Sequence, residues 1–480
     1  MKQNYIAGQW VDGVSAQANI NPSDVSDTID HFARADVAQL NQAVAAAKAA
    51  RGAMRAMGLE ARQAALMMIG NELMARADEL GTLLSREEGK PQAEGKGEVY
   101  RAGQFFTFYA AEVLRQTGET ADSVRAGIEI DVRREPMGVV GVISPWNFPT
   151  AIAAWKCAPA LAFGNCVVLK PAEDTPASAW ALAEIISRAG FPEGAFNLVM
   201  GKGSEVGQAL SEHPDVDAVT FTGSLATGKR VAMAAAGNLS KYQLELGSKN
   251  ALLVMDDGDL DIAVAAAAAG SFGGTGQKCT CSSRLVVHEA VHDAFVERLV
   301  ARMGEFKVGH ALEPGTTIGP VVNEAQLTRN LNWLTKAKSQ GAELLGGGER
   351  LTLATDGFFM SPGLLVNTTN DLDFNREEMF APVSAVIKVG SYEEGLSVAN
   401  DTHYGLTAGI ITKSLARATH FRRNIETGCV SVNIATGGND YHVPFGGRKM
   451  SSSGPREQGR AAVEFFTQMK TSYILAGDPE

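Results

Sequence analysis

From Val139 onward, short apolar runs alternate with stretches of helical period. Val139 to Ser144, Val167 to Lys170, Phe196 to Met200, Val216 to Phe221, Tyr242 to Leu246 and Ala251 to Met255 read as buried-type strands with helices between them. Pro176 marks one helix start, and Gly190 follows that helix's end. A second series begins near Asp259. Its strands include Arg284 to His288 and Val383 to Val389, and its helices fill Ala290 to Met303 and Glu324 to Gln340. Strands that are apolar on both faces must be covered on both, and a helix between two strands makes them parallel. The expected fold class is α/β, with parallel sheets. At 480 residues the chain is too long for one ordinary core, so at least two packed units are expected.

The segment before Val139 reads differently. Asn4 to Trp10 and Asn19 to Ile20 are extended, and Asp36 to Arg55 is an alanine-rich helix. Leu66, Ile69, Leu73, Leu80 and Leu84 read as one apolar helix face, ended by Gly89-Lys90-Pro91. Another helix is expected from Glu94 to Leu114. Two strands fall outside the alternation, Ile128 to Arg134 and Glu464 to Ile474, and suggest an arm that pairs with another subunit.

Charge narrows the partners. The chain carries 54 acidic and 43 basic residues, net −11, without a Lys/Arg block, which argues against nucleic acid. Met1 to Trp10 has no basic start followed by an apolar run. The longest apolar stretch, around Ile262 to Ala269, is too short to span a bilayer, so no membrane association is expected. Five cysteines, an odd number, point to reduced thiols and a cytoplasmic location.

Several short segments carry candidate chemistry. Cys279, in Gly276-Gln277-Lys278-Cys279, follows a glycine-containing turn and would be a nucleophile if that turn faced a cleft. Otherwise it is a small core residue. Cys279 and Cys281 have no second pair or His cluster to complete a metal site, so no metal is expected. Glu245 ends a predicted strand, where a carboxylate can serve as a base on the thiol or on water. Asn147, in Ser144-Pro145-Trp146-Asn147-Phe148-Pro149, offers an uncharged N–H donor for an oxyanion. Phe221-Thr222-Gly223-Ser224 links a strand to a helix. Gly223 permits close backbone approach there, and the helix start favours an anion. Lys170-Pro171-Ala172-Glu173 ends another strand. A carboxylate in that place can bind two ribose hydroxyls of NAD and would repel the extra phosphate of NADP.

The order and spacing of Ser144–Pro149, Lys170–Pro176, Phe221–Ser224, Glu245–Gly247, Gly276–Cys279, Glu377–Val383, Tyr404–Gly409 and Pro444–Gly447 resemble the aldehyde dehydrogenase superfamily across about two-thirds of the chain. The resemblance implies Cys279 as nucleophile, Glu245 as general base and Asn147 as oxyanion donor. It implies cofactor contacts from Trp146, Lys170, Glu173, Gly223, Ser224, Leu246, Glu378 and Phe380, with NAD preferred over NADP as co-substrate. It also implies an NAD(P)-binding domain at 1–117 and 137–246, a catalytic domain at 247–440, and an oligomerisation arm at 118–136 and 456–480. The arm would build a homodimer or homotetramer.

Within the superfamily, Asn21–Val25, Trp155–Leu161, Gly276–Thr280 and Arg456–Gly459 look like the α-ketoglutaric semialdehyde dehydrogenase branch, which oxidises 2,5-dioxopentanoate to 2-oxoglutarate. Related semialdehyde enzymes often place an Arg six residues before the cysteine, or just after the Pro-Trp-Asn-Phe-Pro turn. Here Gly273 and Trp155 occupy those places. Either another cation holds the substrate carboxylate, with Arg101 a candidate, or the substrate is an uncharged polar or aromatic aldehyde bounded by Trp155 and Phe106. Ser248 and Ala381 also replace common glycines. A variant that transfers the acyl group to CoA would not need Glu245, and a non-catalytic structural relative would not need Cys279, Glu245 and Asn147 together.

Overall fold

The computed structural model describes residues 1–477; the last three positions of the expected arm, 478–480, lie outside the described residues. Two large sheets organise the chain. The first has eight strands, in the order Ser452–Ser453, Lys241–Glu245, Ala218–Thr222, Val139–Ile143, Cys166–Lys170, Phe196–Leu198, Asn4–Ile6 and Gln9–Val11. Its five middle strands run parallel, while the outer ones at both edges are antiparallel. Val139–Ile143 and Cys166–Lys170 are buried at every position, as their unbroken apolar runs require. Helices on both faces, among them Val37–Ala56, Ala151–Ala162 and Pro176–Ser187, close this core.

The second sheet has seven strands, in the order Glu343–Leu345, Gly363–Thr368, Val383–Val389, Ser282–His288, Asn250–Val254, Thr407–Ile411 and Cys429–Val432. Asn250–Val254 sends Leu252 and Val254 into one core cluster and Ala251 and Leu253 into another, the two-residue alternation of a strand covered on both faces. The sequence places this strand in the first series. Its parallel partners are Ser282–His288 and Thr407–Ile411, so the second sheet begins at Asn250 rather than near Asp259.

One further expectation is corrected. The apolar face from Leu66 to Leu84 belongs to two helices, Leu59–Ala75 and Ala77–Glu88. They break at Arg76, whose guanidinium grips Glu72 and Glu79 at 2.9 and 2.8 Å. Asp24–Arg34 is a long strand paired with Ser15–Asn21. The stray strands near residue 130 and at the C-terminus, Ile128–Pro136 and Thr467–Leu475, pair antiparallel with each other over nine residues, with Glu119–Asp122 alongside. The three-stranded sheet that results is mostly exposed, and it leaves Met469, Tyr473, Ile474 and Leu475 open. Among the described residues, no helix is long and apolar enough to cross a membrane.

Candidate active site

The chain passes from the first sheet to the second within a few residues. Glu245 is the last residue of one strand and Asn250 the first of the next, so Leu246 to Lys249 bridge the gap. The carboxyl ends of the first sheet's strands therefore face the amino ends of the second sheet's strands. Trp146 and Asn147, Lys170 and Glu173, and Gly223 and Ser224 follow first-sheet strands, while Cys279 and Glu378 precede second-sheet strands. Open α/β sheets bind ligands in such a crevice.

The crevice is a cleft with two lobes, of about 760 and 500 Å³, that share Pro145, Trp146, Thr222, Gly223 and Ser224. Lys170 and Glu173 line the larger lobe. Leu246, Glu378, Phe380, Asn147 and Cys279 line the smaller one. All eight residues expected to contact a cofactor thus meet in one continuous space.

Its far lobe is anchored tightly. The Gly203 N–H donates to Glu173 Oε1 at 2.8 Å, and the Arg34 guanidinium lies 3.5 Å from Glu173 Oε2. Lys170 is 4% exposed, and among the described residues its ammonium has no hydrogen-bonded partner. Burial pulls its pKa down to about 8 although Glu173 and Asp174 oppose the shift. Thr222 Oγ1 is likewise buried without a partner. Ser224 caps the helix Leu225–Gly237, whose N-terminus points its free N–H groups toward the space between the lobes.

Around Cys279 the backbone is held from several sides. Ser248 Oγ donates to the Cys279 carbonyl, and Asn250 Nδ2 lies 2.8 and 2.9 Å from the Cys279 and Cys281 carbonyls. Ser248 therefore uses its hydroxyl to fix the cysteine loop where a glycine could not. Gly276 adopts φ +67°, and a Cβ there would meet the Ala381 carbonyl at 1.9 Å, so only glycine fits this turn. Asn147 Nδ2 donates to the Gln277 carbonyl at 2.9 Å, and the Lys90 ammonium donates to the Asn147 carbonyl at 2.7 Å. Lys90 is held in turn by Glu98 at 2.6 Å, whose other oxygen accepts from the Thr150 and Ala151 N–H groups at 3.0 and 3.1 Å.

Burial, together with the carboxylates of Glu378 and Glu245, pushes the Cys279 thiol well above its usual range. Glu378 accepts from the Ser248 N–H at 2.9 Å, and burial raises its pKa to about 7. Phe380, beside it, holds φ +60°, an unusual conformation for a bulky residue, and packs edge-on to Trp146 at 5.3 Å. Glu245 is 4% exposed and turns toward Ser452, whose hydroxyl donates to it at 2.6 Å. Burial and nearby Glu457 push the Glu245 carboxyl well upward. Glu245, expected from the sequence as a base on the thiol or on water, lines neither lobe, although its charge is felt at Cys279.

Cys279 also opens onto a separate cavity of about 410 Å³, lined by Arg101, Phe105, Trp155 and Phe445. Among the described residues, it alone lines both spaces. Residues 10–472 match the aldehyde dehydrogenase family. The chain belongs to that family. The dehydrogenase is 41% identical over 475 residues, 98% of this chain and 97% of the other, to an alpha-ketoglutaric semialdehyde dehydrogenase of Bacillus subtilis (strain 168). A 2,5-dioxopentanoate dehydrogenase of Saccharolobus solfataricus is 36% identical, with 98% of both chains covered. In fold it matches a betaine aldehyde dehydrogenase of Staphylococcus aureus in complex with NAD+, with TM-score 0.97 and 31% identity, covering 100% of this chain and 96% of that one.

Sequence reasoning missed several residues of the dehydrogenase's site. Lys229 and Arg230 bring cations to the two lobes from the helix that Ser224 caps, and Arg329 brings a third. Their place after Gly228 on that helix was the available signal. Phe106, expected on the wall, is fully buried in the core, and its neighbour Phe105 faces the cavity instead. A one-residue step turns a helix by about 100°, enough to exchange the two.

Proposed function

We propose that this aldehyde dehydrogenase oxidises 2,5-dioxopentanoate to 2-oxoglutarate with NAD, through a thioester on Cys279. The observation that carries the reading is Cys279 as the only residue, among the described residues, common to the two-lobed cleft and the aromatic cavity. A nucleophile there meets an aldehyde from one side and a cofactor from the other.

NAD fits the cleft by its donor set. The buried, unpartnered Lys170 ammonium and Glu173 suit ribose hydroxyls, the helix N-terminus beside Ser224 suits a pyrophosphate, and Glu378, Leu246 and Phe380 would hold the second ribose and the ring. When bound, NAD accepts the hydride from the aldehyde carbon. Glu173 is tied to Gly203 and Arg34 and stands where the extra phosphate of NADP would fall, which supports NAD as the preferred co-substrate. NADP would bind at a cost.

Cys279 acts as a thiolate: its proton passes to solvent water before its sulfur bonds to the carbonyl carbon. The oxygen of the adduct gains negative charge, which Asn147 Nδ2 and the Cys279 N–H stabilise. Loss of hydride from that carbon leaves the thioester. Glu245 then swings off Ser452, takes a proton from water, and the hydroxide displaces the Cys279 thiolate as the acid forms. Burial and the nearby Glu457 raise the Glu245 pKa, which favours its neutral form. Turnover limited by this step rises with pH as the carboxylate forms, and Glu245→Gln removes that rise.

The names of the relatives support the substrate. We further propose a cofactor domain at 1–117 and 137–246, a catalytic domain at 247–440 and an arm at 118–136 and 456–480 that assembles homodimers or homotetramers in the cytoplasm. The exposed apolar edge of the three-stranded sheet supports that arm. The test is product analysis with 2,5-dioxopentanoate and NAD: equimolar NADH and 2-oxoglutarate are expected, and Cys279→Ser lowers the rate by about 10⁴-fold or more. Turnover that persists in Cys279→Ser, or that requires CoA, would overturn the reading.

A further inference from the structure

The aromatic cavity has a polar end that the thioester chemistry does not use. Glu94, Gly97, Glu98, Arg101 and Phe105 line it from the helix Gln92–Val113, at spacings of three, four, seven and eleven that form one helix face. The charged groups on this face differ in their occupation. Glu98 is consumed by Lys90 and by the Thr150 and Ala151 N–H groups. Glu94 pairs with Lys278 at 3.1 Å and accepts from the Gly274 N–H. Arg101 alone is left over. Among the described residues it has no carboxylate and no hydrogen-bond acceptor, and its guanidinium only stacks on the Tyr441 ring at 5.3 Å.

Lys278 explains why no cation comes from position 273. Its ammonium lies 3.2 Å from where Gly273 would carry a Cβ, so the space is filled. Across the cavity, Gln458 is 2% exposed and holds φ +61°, and its Oε1 has no partner. Trp155 Nε1 is also buried without one. A buried indole N–H and a half-buried guanidinium that find no acceptor in the protein are expensive to keep unless a ligand completes them. Phe105, Trp155 and Phe445 contribute aromatic wall to the same cavity.

We propose that Arg101 and Trp155 anchor the far end of a short aldehyde acid: the carboxylate sits on the Arg101 guanidinium, and a 2-oxo oxygen accepts from the Trp155 indole N–H. This rests on Cys279 as the nucleophile that receives the aldehyde end. A planar guanidinium matches a carboxylate with two parallel N–H donors, so a neutral chain of equal length loses both.

The experiment compares kcat/KM for 2,5-dioxopentanoate, 5-oxopentanoate and pentanal, with NAD. The wild-type enzyme should favour 5-oxopentanoate over pentanal by about a hundredfold. Arg101→Met should bring that ratio within about tenfold, mostly through KM, and Arg101→Lys should recover part of it. Trp155→Phe, which removes the indole N–H, should lower 2,5-dioxopentanoate against 5-oxopentanoate by about tenfold while the acid preference over pentanal persists. A ratio that survives Arg101→Met, or a wild-type preference for pentanal, would overturn the anchor and leave the thioester reading standing. If none of the three aldehydes yields NADH, both fall together.

Discussion

On one side of Cys279, the cleft is built from the ends of strands, a helix N-terminus and turns fixed by glycine. On the other, the aromatic cavity is built from side chains on one face of the helix Gln92–Val113 and from Trp155 and Phe445. The first kind of surface follows from the fold, because parallel strands always deliver their ends to the same crevice. The second depends on which side chain each helix position carries, and it can be rebuilt without disturbing the sheets. The difference separates the general part of the reaction from the part that selects the aldehyde.

Asn147 stands at the junction, and its loss should fall on the shared chemistry. Asn147→Ala is expected to lower kcat by about 10²–10³-fold for acid and neutral aldehydes alike, measured by NADH formation. A loss confined to one class of aldehyde would put Asn147 on the selective side.

This division also describes what the sequence could reveal. Cys279, Glu245, Asn147 and the eight proposed cofactor positions all sit at strand ends or adjoining turns, where short local patterns mark them. Glu245 was placed in the chain but not in orientation, because the hydroxyl that holds it, Ser452, lies 207 residues away. The exchange of Phe106 for Phe105 turns on a single step of helix phase. The break at Arg76 is hidden because apolar residues continue on both sides of it, while the ion pairs that fix it lie on the polar face. The antiparallel pairing of Ile128–Pro136 with Thr467–Leu475 joins segments some 330 residues apart, and no local pattern records that choice of partner.

The support beneath the junction gives a smaller effect. Glu98 ties Lys90 to the start of the helix Ala151–Ala162, and Lys90 holds the Asn147 carbonyl. Glu98→Gln keeps an acceptor for the Thr150 and Ala151 N–H groups but removes the charge that fixes Lys90. An approximately tenfold fall in kcat is expected, with KM for NAD nearly constant. A fall in thermal stability without any change in kcat would make Glu98 purely structural.

The smallest effect belongs to the far lobe. Glu173→Gln removes the charge facing the position of the extra phosphate while retaining an acceptor for the Gly203 N–H. The ratio of kcat/KM for NADP to that for NAD should rise by about tenfold, and the aldehyde preference should stay as it was. An unchanged ratio would mean that the Arg34 and Glu173 pair does not set the cofactor.

The account depends most on a thioester that forms on Cys279 and waits for Glu245. The direct measurement is peptide mass spectrometry of Glu245→Gln, mixed with 2,5-dioxopentanoate and NAD and quenched in acid after one burst of NADH. The account predicts an acyl group on the peptide that carries Cys279, at near one equivalent per site, with a burst that outlasts the loss of steady turnover. An unmodified Cys279 peptide, with burst and steady rate lowered together, would contradict it and would make Glu245 the base that activates the thiol.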